Sequence, residues 1–133
     1  MRFLKRSLMV FLLAVSVMAN TLTSCSLLCR EINPEDVPIY PNAQNVKQEE
    51  PILGGIEIYR WSFNTTDKPE EVWQFYKGIL IDKWGGSDHS RPQSSEKDVM
   101  IEGCWFYYFT INSTSVDNTR YNITIEFSRQ HYY

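Results

Sequence analysis

A two-layer α+β domain is predicted, with a single antiparallel sheet of four to five strands and one helix packed on one face. Three observations carry that expectation. Residues 56–64 and 121–128 alternate apolar and polar side chains with the period of two that a half-buried strand requires. Residues 72–80 place apolar side chains at helical spacing. Between them and the last strand lies an aromatic-rich run, VMIEGCWFYYFTI, that reads as one or two further strands. The predicted order is strand, strand, helix, then two or three strands.

The first strand is expected at 43–50, entered through the turn at Pro41–Ala43. Pro51 and the pair Gly54–Gly55 then form a hairpin-type connection. In the second strand Tyr59, Trp61 and Phe63 share one face, while Ile58, Arg60 and Ser62 share the other.

The helix opens with Asp67 as N-cap and Glu70 three residues later as its capping-box partner. Pro69 is tolerated in the first turn, where the missing amide has no helical partner. Glu70 and Glu71 suit the positive end of the dipole. Val72, Phe75, Tyr76, Ile79 and Leu80 form the buried stripe, and Gly85–Gly86 ends it. Gly78 costs about 1 kcal/mol relative to alanine in a helix interior, which points to close packing on the sheet.

Residues 87–98 are polar and read as a loop, and the aromatic run that follows is expected to break at Gly103. Residues 112–119 read as a turn. The last strand points Tyr121, Ile123, Ile125 and Phe127 inward and Asn122, Thr124, Glu126 and Ser128 outward.

The start of the chain has a different character. MRFLKR carries three basic residues and no acid, and residues 7–19 are an almost unbroken apolar run. A basic start, a short apolar core and a small-residue exit are the parts of a secretory signal peptide. The run breaks at Asn20, short of the roughly 20 residues that a permanent span needs.

The exit, Leu22-Thr23-Ser24-Cys25, resembles the lipobox of bacterial lipoproteins. That resemblance implies removal of residues 1–24 and attachment of a diacylglyceryl group to the sulfur of Cys25. Leu28 before Cys29 is too bulky for the same pattern. Two or more acyl chains anchor a protein stably, whereas one holds only marginally. Residues 25–38 are then expected to form a lipid-anchored tether and 39–133 the single domain. The stretch 26–38, fully extended, spans up to about 45 Å. The implied address is the exported side of the cell envelope, periplasmic or at the cell surface.

The IYPNA turn and the TTDKPEEVWQFYK helix with its W-G-G exit also resemble a group of small bacterial lipoproteins. Their members open with Y-P-x-A and carry a P-E-E-V-x-x-F-Y-K helix. The resemblance covers residues 37–86 and implies a fold and an address, with no activity attached.

Removing the leader takes Arg2, Lys5 and Arg6 with it and leaves 10 basic against 16 acidic residues. Such a balance disfavours nucleic acid, whose phosphates need Lys and Arg, and also electrostatic docking on anionic lipid. A bridge between Cys29 and Cys104 is open to an exported chain, but Cys104 beside a hydrophobic run reads better as a buried thiol.

Ser87, Asp88, His89 and Ser90 have the residue types of a hydrolase, but four consecutive loop residues do not make a triad. The pairs Glu49–Glu50 and Glu70–Glu71 fit a strand end and a helix start. The two histidines, His89 and His131, lie far apart in the chain, so no metal or cofactor site is expected. Three N-x-S/T sequons, at Asn64, Asn112 and Asn122, are idle behind a bacterial lipobox.

The aromatic content is the one compositional excess. If Trp105, Tyr107, Phe109 and Ile111 face the helix, Phe106 and Tyr108 face away and form a candidate interaction surface. The expected function is a non-catalytic binding or envelope-associated module, anchored through Cys25, that meets an envelope protein or a glycan. The alternative is a small envelope hydrolase or transferase. A polar constellation converging on a pocket would favour that alternative, and an open aromatic face the binding module.

Overall fold

The computed structural model describes residues 30–131, so the leader, Cys25 and Cys29 lie outside the described residues. The compact unit containing the sheet begins at Ile32. It holds six strands: β1 (Gln44–Gln48), β2 (Glu57–Thr65), β3 (Ser87–Asp88), β4 (Glu96–Glu102), β5 (Trp105–Ser115) and β6 (Tyr121–His131). All pairings are antiparallel, in the order β1-β2-β6-β5-β4-β3. The expected four to five strands are therefore too few. The additional strand is β3, which pairs Ser87 with Met100 and Asp88 with Val99 inside the segment read as a loop. Two polar residues at a sheet edge carry no hydrophobic period, so the sequence pattern passes over them.

One helix serves this sheet. Its α-helical part, α1, spans Pro69–Lys77, and a π-helical part continues it through Gly78–Lys83. These 15 residues carry the chain from the end of β2 to β3 at the far edge. A helix of that length spans about 20 Å, close to the four strand spacings, each about 4.8 Å, that separate β2 from β3. The chain then returns as a meander, β3-β4-β5-β6, and closes the sheet by pairing β6 with β2.

The helix start differs from the sequence reading. Lys68 is the N-cap, and its amide donates to Glu71 Oε2 at 2.9 Å. Asp67 instead accepts from the Tyr40 hydroxyl at 2.6 Å and from Asn42 Nδ2 at 2.7 Å. The buried stripe is Val72, Trp73, Tyr76 and Leu80, while Phe75 and Ile79 are half-buried. Phase changes within the π segment, where Trp84 N–H donates to Ile79 O across five residues. The extra residue per turn brings half-buried Ile81 and Trp84 against the core. Gly78 is exposed, with nothing within 4 Å of where a Cβ would stand, so it does not mark close packing. Gly86 does: a Cβ there would meet Val99 Cγ1 at 2.6 Å and Leu80 O at 2.7 Å.

The core lies between the helix and one face of the sheet, and includes Phe63, Tyr107, Phe109, Ile123 and Phe127. Its other cover comes from residues assigned above to the tether. Ile32 and Val37 are 3% and 9% exposed, and the Ile32 amide donates to the Tyr107 hydroxyl at 2.8 Å. Ile32 and Val37, within the residues read as tether, thus belong to the core. Cys104 also departs from expectation. It sits in the turn between β4 and β5, is exposed, and is disulfide-bonded; the other two cysteines lie outside the described residues.

Candidate functional site

Strand alternation sends every second side chain of β2, β6, β5 and β4 to the face opposite the helix. There Phe106 stands across from Gln130 on β6 and Glu102 on β4. Tyr108 stands across from Ser128 and Met100, and Ser128 in turn pairs with Ile58. The sequence places Phe106 and Tyr108 near Thr124 and Glu126 once the last two strands pair as a hairpin, and that expectation is corrected by the register. Thr124 and Glu126 instead oppose Asn112 and Thr110, because both strands run several residues beyond the predicted span.

The face is graded along the strands. The end near Phe106 carries Ile58, Met100 and the two aromatics. The next rung is charged: Arg60 Nη2 lies 2.6 Å from Glu126 and its Nη1 lies 2.8 Å from Glu49. These carboxylates, Glu126 foremost, raise the Arg60 pKa and keep it protonated. Thr110 donates to Asp98 Oδ1 at 3.2 Å. Burial raises the Tyr108 pKa, and its hydrogen bond to the Asp98 carboxylate adds to the rise, so the hydroxyl stays protonated as a donor. The far end is built of amides and hydroxyls, with Asn122 Nδ2 donating to Asn64 Oδ1 at 3.1 Å. Phe106 and Tyr108 are each half-buried. Among the described residues, no helix or strand forms a layer over this face.

A second cluster, not anticipated from the sequence, lies on the core side of the same end. Arg129 forms an ion pair with Glu57, donates to Asn33 Oδ1 at 3.0 Å, and stacks over Trp105 with 5.3 Å to the ring centroid. The Arg129 hydrogen bond holds the Glu57 pKa below its ordinary value, helped by one from the Tyr59 hydroxyl. The alternation of β6 reads Arg129 as an exception to its apolar face, and that exception was the available signal.

A cleft of about 380 Å³ opens at the N-terminal end of α1, over Val72, Trp73, Ile111 and Ile123, with Gln93, Ser94, Ser95 and Lys97 on its rim. Its lining contains no histidine or cysteine. Ser87 Oγ does lie 3.0 Å from His89 Nε2, but Ser87 also donates to Met100 O at 3.3 Å. Asp88 accepts from the Ser90 amide rather than orienting His89, and all three side chains are exposed at the sheet edge. A nucleophile, base and orienting group are therefore not assembled there. The acidic pairs have structural partners: Glu70 accepts from Gln74, Glu71 caps α1, and Glu49 meets Arg60. Among the described residues no group of three or more His, Cys, Asp or Glu side chains is placed to hold a metal ion.

No helix among the described residues is long and apolar enough to cross a membrane. Comparison with protein-family models, with curated proteins and with solved structures finds no match to this chain.

Proposed function

We propose that the protein is an exported module, anchored in the membrane by acyl chains on Cys25, that binds an envelope protein through the open face of its sheet. The anchor rests on the basic leader, the apolar run and the LTSC motif. The binding role rests on one observation above the others: Phe106 and Tyr108 stand side by side on a face over which no described element packs. Met100 extends that apolar surface onto β4, Ile58 lies beyond Ser128 on β2, and the adjacent rung of Arg60, Glu126 and Asp98 supplies charges that fix register. Aromatic anchors dominate the energy of many interfaces, and flanking charges govern partner choice.

The test is the double substitution Phe106→Ser with Tyr108→Ser. The variant is expected to remain folded, with a melt lowered by a few degrees, and to lose the partner that the wild-type captures from the envelope fraction. An unchanged partner profile in a folded variant rejects the open face as the binding surface. Capture that survives protease treatment of that fraction identifies a glycan in place of a protein.

A further inference from the structure

Among the described residues, three of the six exposed large apolar side chains lie in one loop. In the loop between β1 and β2, Ile52, Leu53 and Ile56 are 57%, 67% and 48% exposed. Single exposed apolar residues are ordinary, but three at one hairpin tip make a patch that calls for an occupant. No charged residue lies between Pro51 and Ile56, and Glu50 and Glu57 bound the loop on either side.

The place where the chain joins the domain selects that occupant. Ile32 is fixed to Tyr107, and Asn33 to Arg129. Tyr107 and Arg129 share a rung with Glu57, the first residue of β2 after the loop. Residue 32 therefore enters at the loop's end of the sheet. From Cys25 to Ile32 is seven Cα steps, at most about 25 Å by any path. An 11-residue strand such as β5 is about 37 Å long. An anchor at Cys25 would keep the loop's end within that reach of the lipid, a limit that does not apply to the opposite end, at Val116.

We propose that the β1–β2 loop inserts Ile52, Leu53 and Ile56 into the interfacial region of the bilayer as a second, non-covalent membrane contact that orients the domain. The proposal rests on the Cys25 anchor proposed above, which supplies the high local concentration that makes a small apolar tip sufficient. The patch suits zwitterionic phospholipid, because the charged residues that flank it in the chain, Glu50 and Glu57, are acids. With the loop seated, the strands stand up from the membrane, and Phe106 lies nearer the headgroups than Asn112.

The experiment uses the full mature protein in phosphatidylcholine–phosphatidylethanolamine vesicles with a spin label near the headgroup. An environment-sensitive fluorophore is placed at Leu53→Cys and, in a second variant, at Val116→Cys, with labelled wild-type protein setting the background. Quenching at least several-fold stronger at position 53 than at 116 is expected. Equal quenching overturns the proposal, and so does a blue-shifted but unquenched label at 53, which reports a protein neighbour such as a second copy. The mass of the N-terminal peptide, read on the same samples, decides the anchor separately. An acylated protein with an unquenched loop rejects only the insertion, whereas quenching at 53 without acylation rejects only the anchor. Absence of both rejects both.

Discussion

Along β5 the two faces of the sheet differ sharply from one residue to the next. Tyr107, Phe109 and Ile111 are 1%, 0% and 4% exposed beneath the helix, whereas Phe106, Tyr108 and Thr110 are half-buried with no described layer above them. Both faces of β5 carry aromatic rings, Trp105, Tyr107 and Phe109 on one and Phe106 and Tyr108 on the other, and they are packed differently. On the helix side, aromatic rings pack on one another: Phe109 stacks on Phe127 with centroids 4.7 Å apart, and Trp84 tilts against Phe109 at 6.1 Å. On the open side Phe106 and Tyr108 are half-buried. The same contrast recurs in the ion pairs. Arg129 and Glu57 are 13% and 30% exposed on the core side, while Arg60 and Glu126 are 36% and 35% exposed on the open side. Side chains beneath the helix are more completely buried than those on the opposite face of the same strand.

The largest test of that contrast is Phe109→Ala against Tyr108→Ala. Removing a fully buried ring leaves a cavity and should cost about 3–5 kcal/mol in chemical denaturation. The neighbouring change should cost roughly 1–2 kcal/mol, the share of burial that a half-covered ring contributes. Equal costs would mean that a second layer covers the open face.

A smaller effect is expected from Gly86→Ala. The new methyl would meet the backbone carbonyl of Leu80, which has no rotamer through which to yield. A loss of about 1–3 kcal/mol follows from overpacking, while Gly78→Ala, which meets open space, should stabilise by up to about 1 kcal/mol. A harmless Gly86→Ala would show that the helix C-terminus sits further from β4 than described.

The smallest effect concerns the two ion pairs. Glu57 has a folded-state pKa depressed below its ordinary 4.5, so its contribution is present above that value and fades as pH falls through the folded pKa. Glu57→Gln should therefore flatten part of the stability decline on acidification from about pH 5, as followed by thermal melts. Arg60→Met on the open face should change stability by only about 0–1 kcal/mol at neutral pH. A larger loss for Arg60→Met than for Glu57→Gln at neutral pH would reverse the assignment of the two pairs.

Much of this contrast is legible in the sequence. Period-two alternation in 56–64 and 121–128, and the more apolar set ending in Ile111, identify the side chains that lie beneath the helix. What escaped was decided by contacts distant in the chain or by hydrogen bonding that leaves no compositional trace. Ile32 and Val37 sit among polar residues and prolines, and only their meeting with the sheet makes them core. Asp67 and Glu70 match a capping box, yet Tyr40 and Asn42 engage Asp67, and the frame one residue later caps the helix. The π segment shifts which residues face inward without altering the apolar count. At the candidate site, the identity of the outward residues was readable, but the register was not. Their partners depend on strand ends at Ser115 and His131, in polar stretches without a periodic signal.

The proposed address and the loop's proposed membrane contact both follow from the lipid proposed at Cys25. Metabolic labelling with a fatty-acid analogue, comparing wild-type protein with Cys25→Ala, tests it most directly. Label is expected on a processed wild-type chain, with an unlabelled precursor of lower mobility in the variant. Undiminished label and unchanged mobility in Cys25→Ala would contradict it.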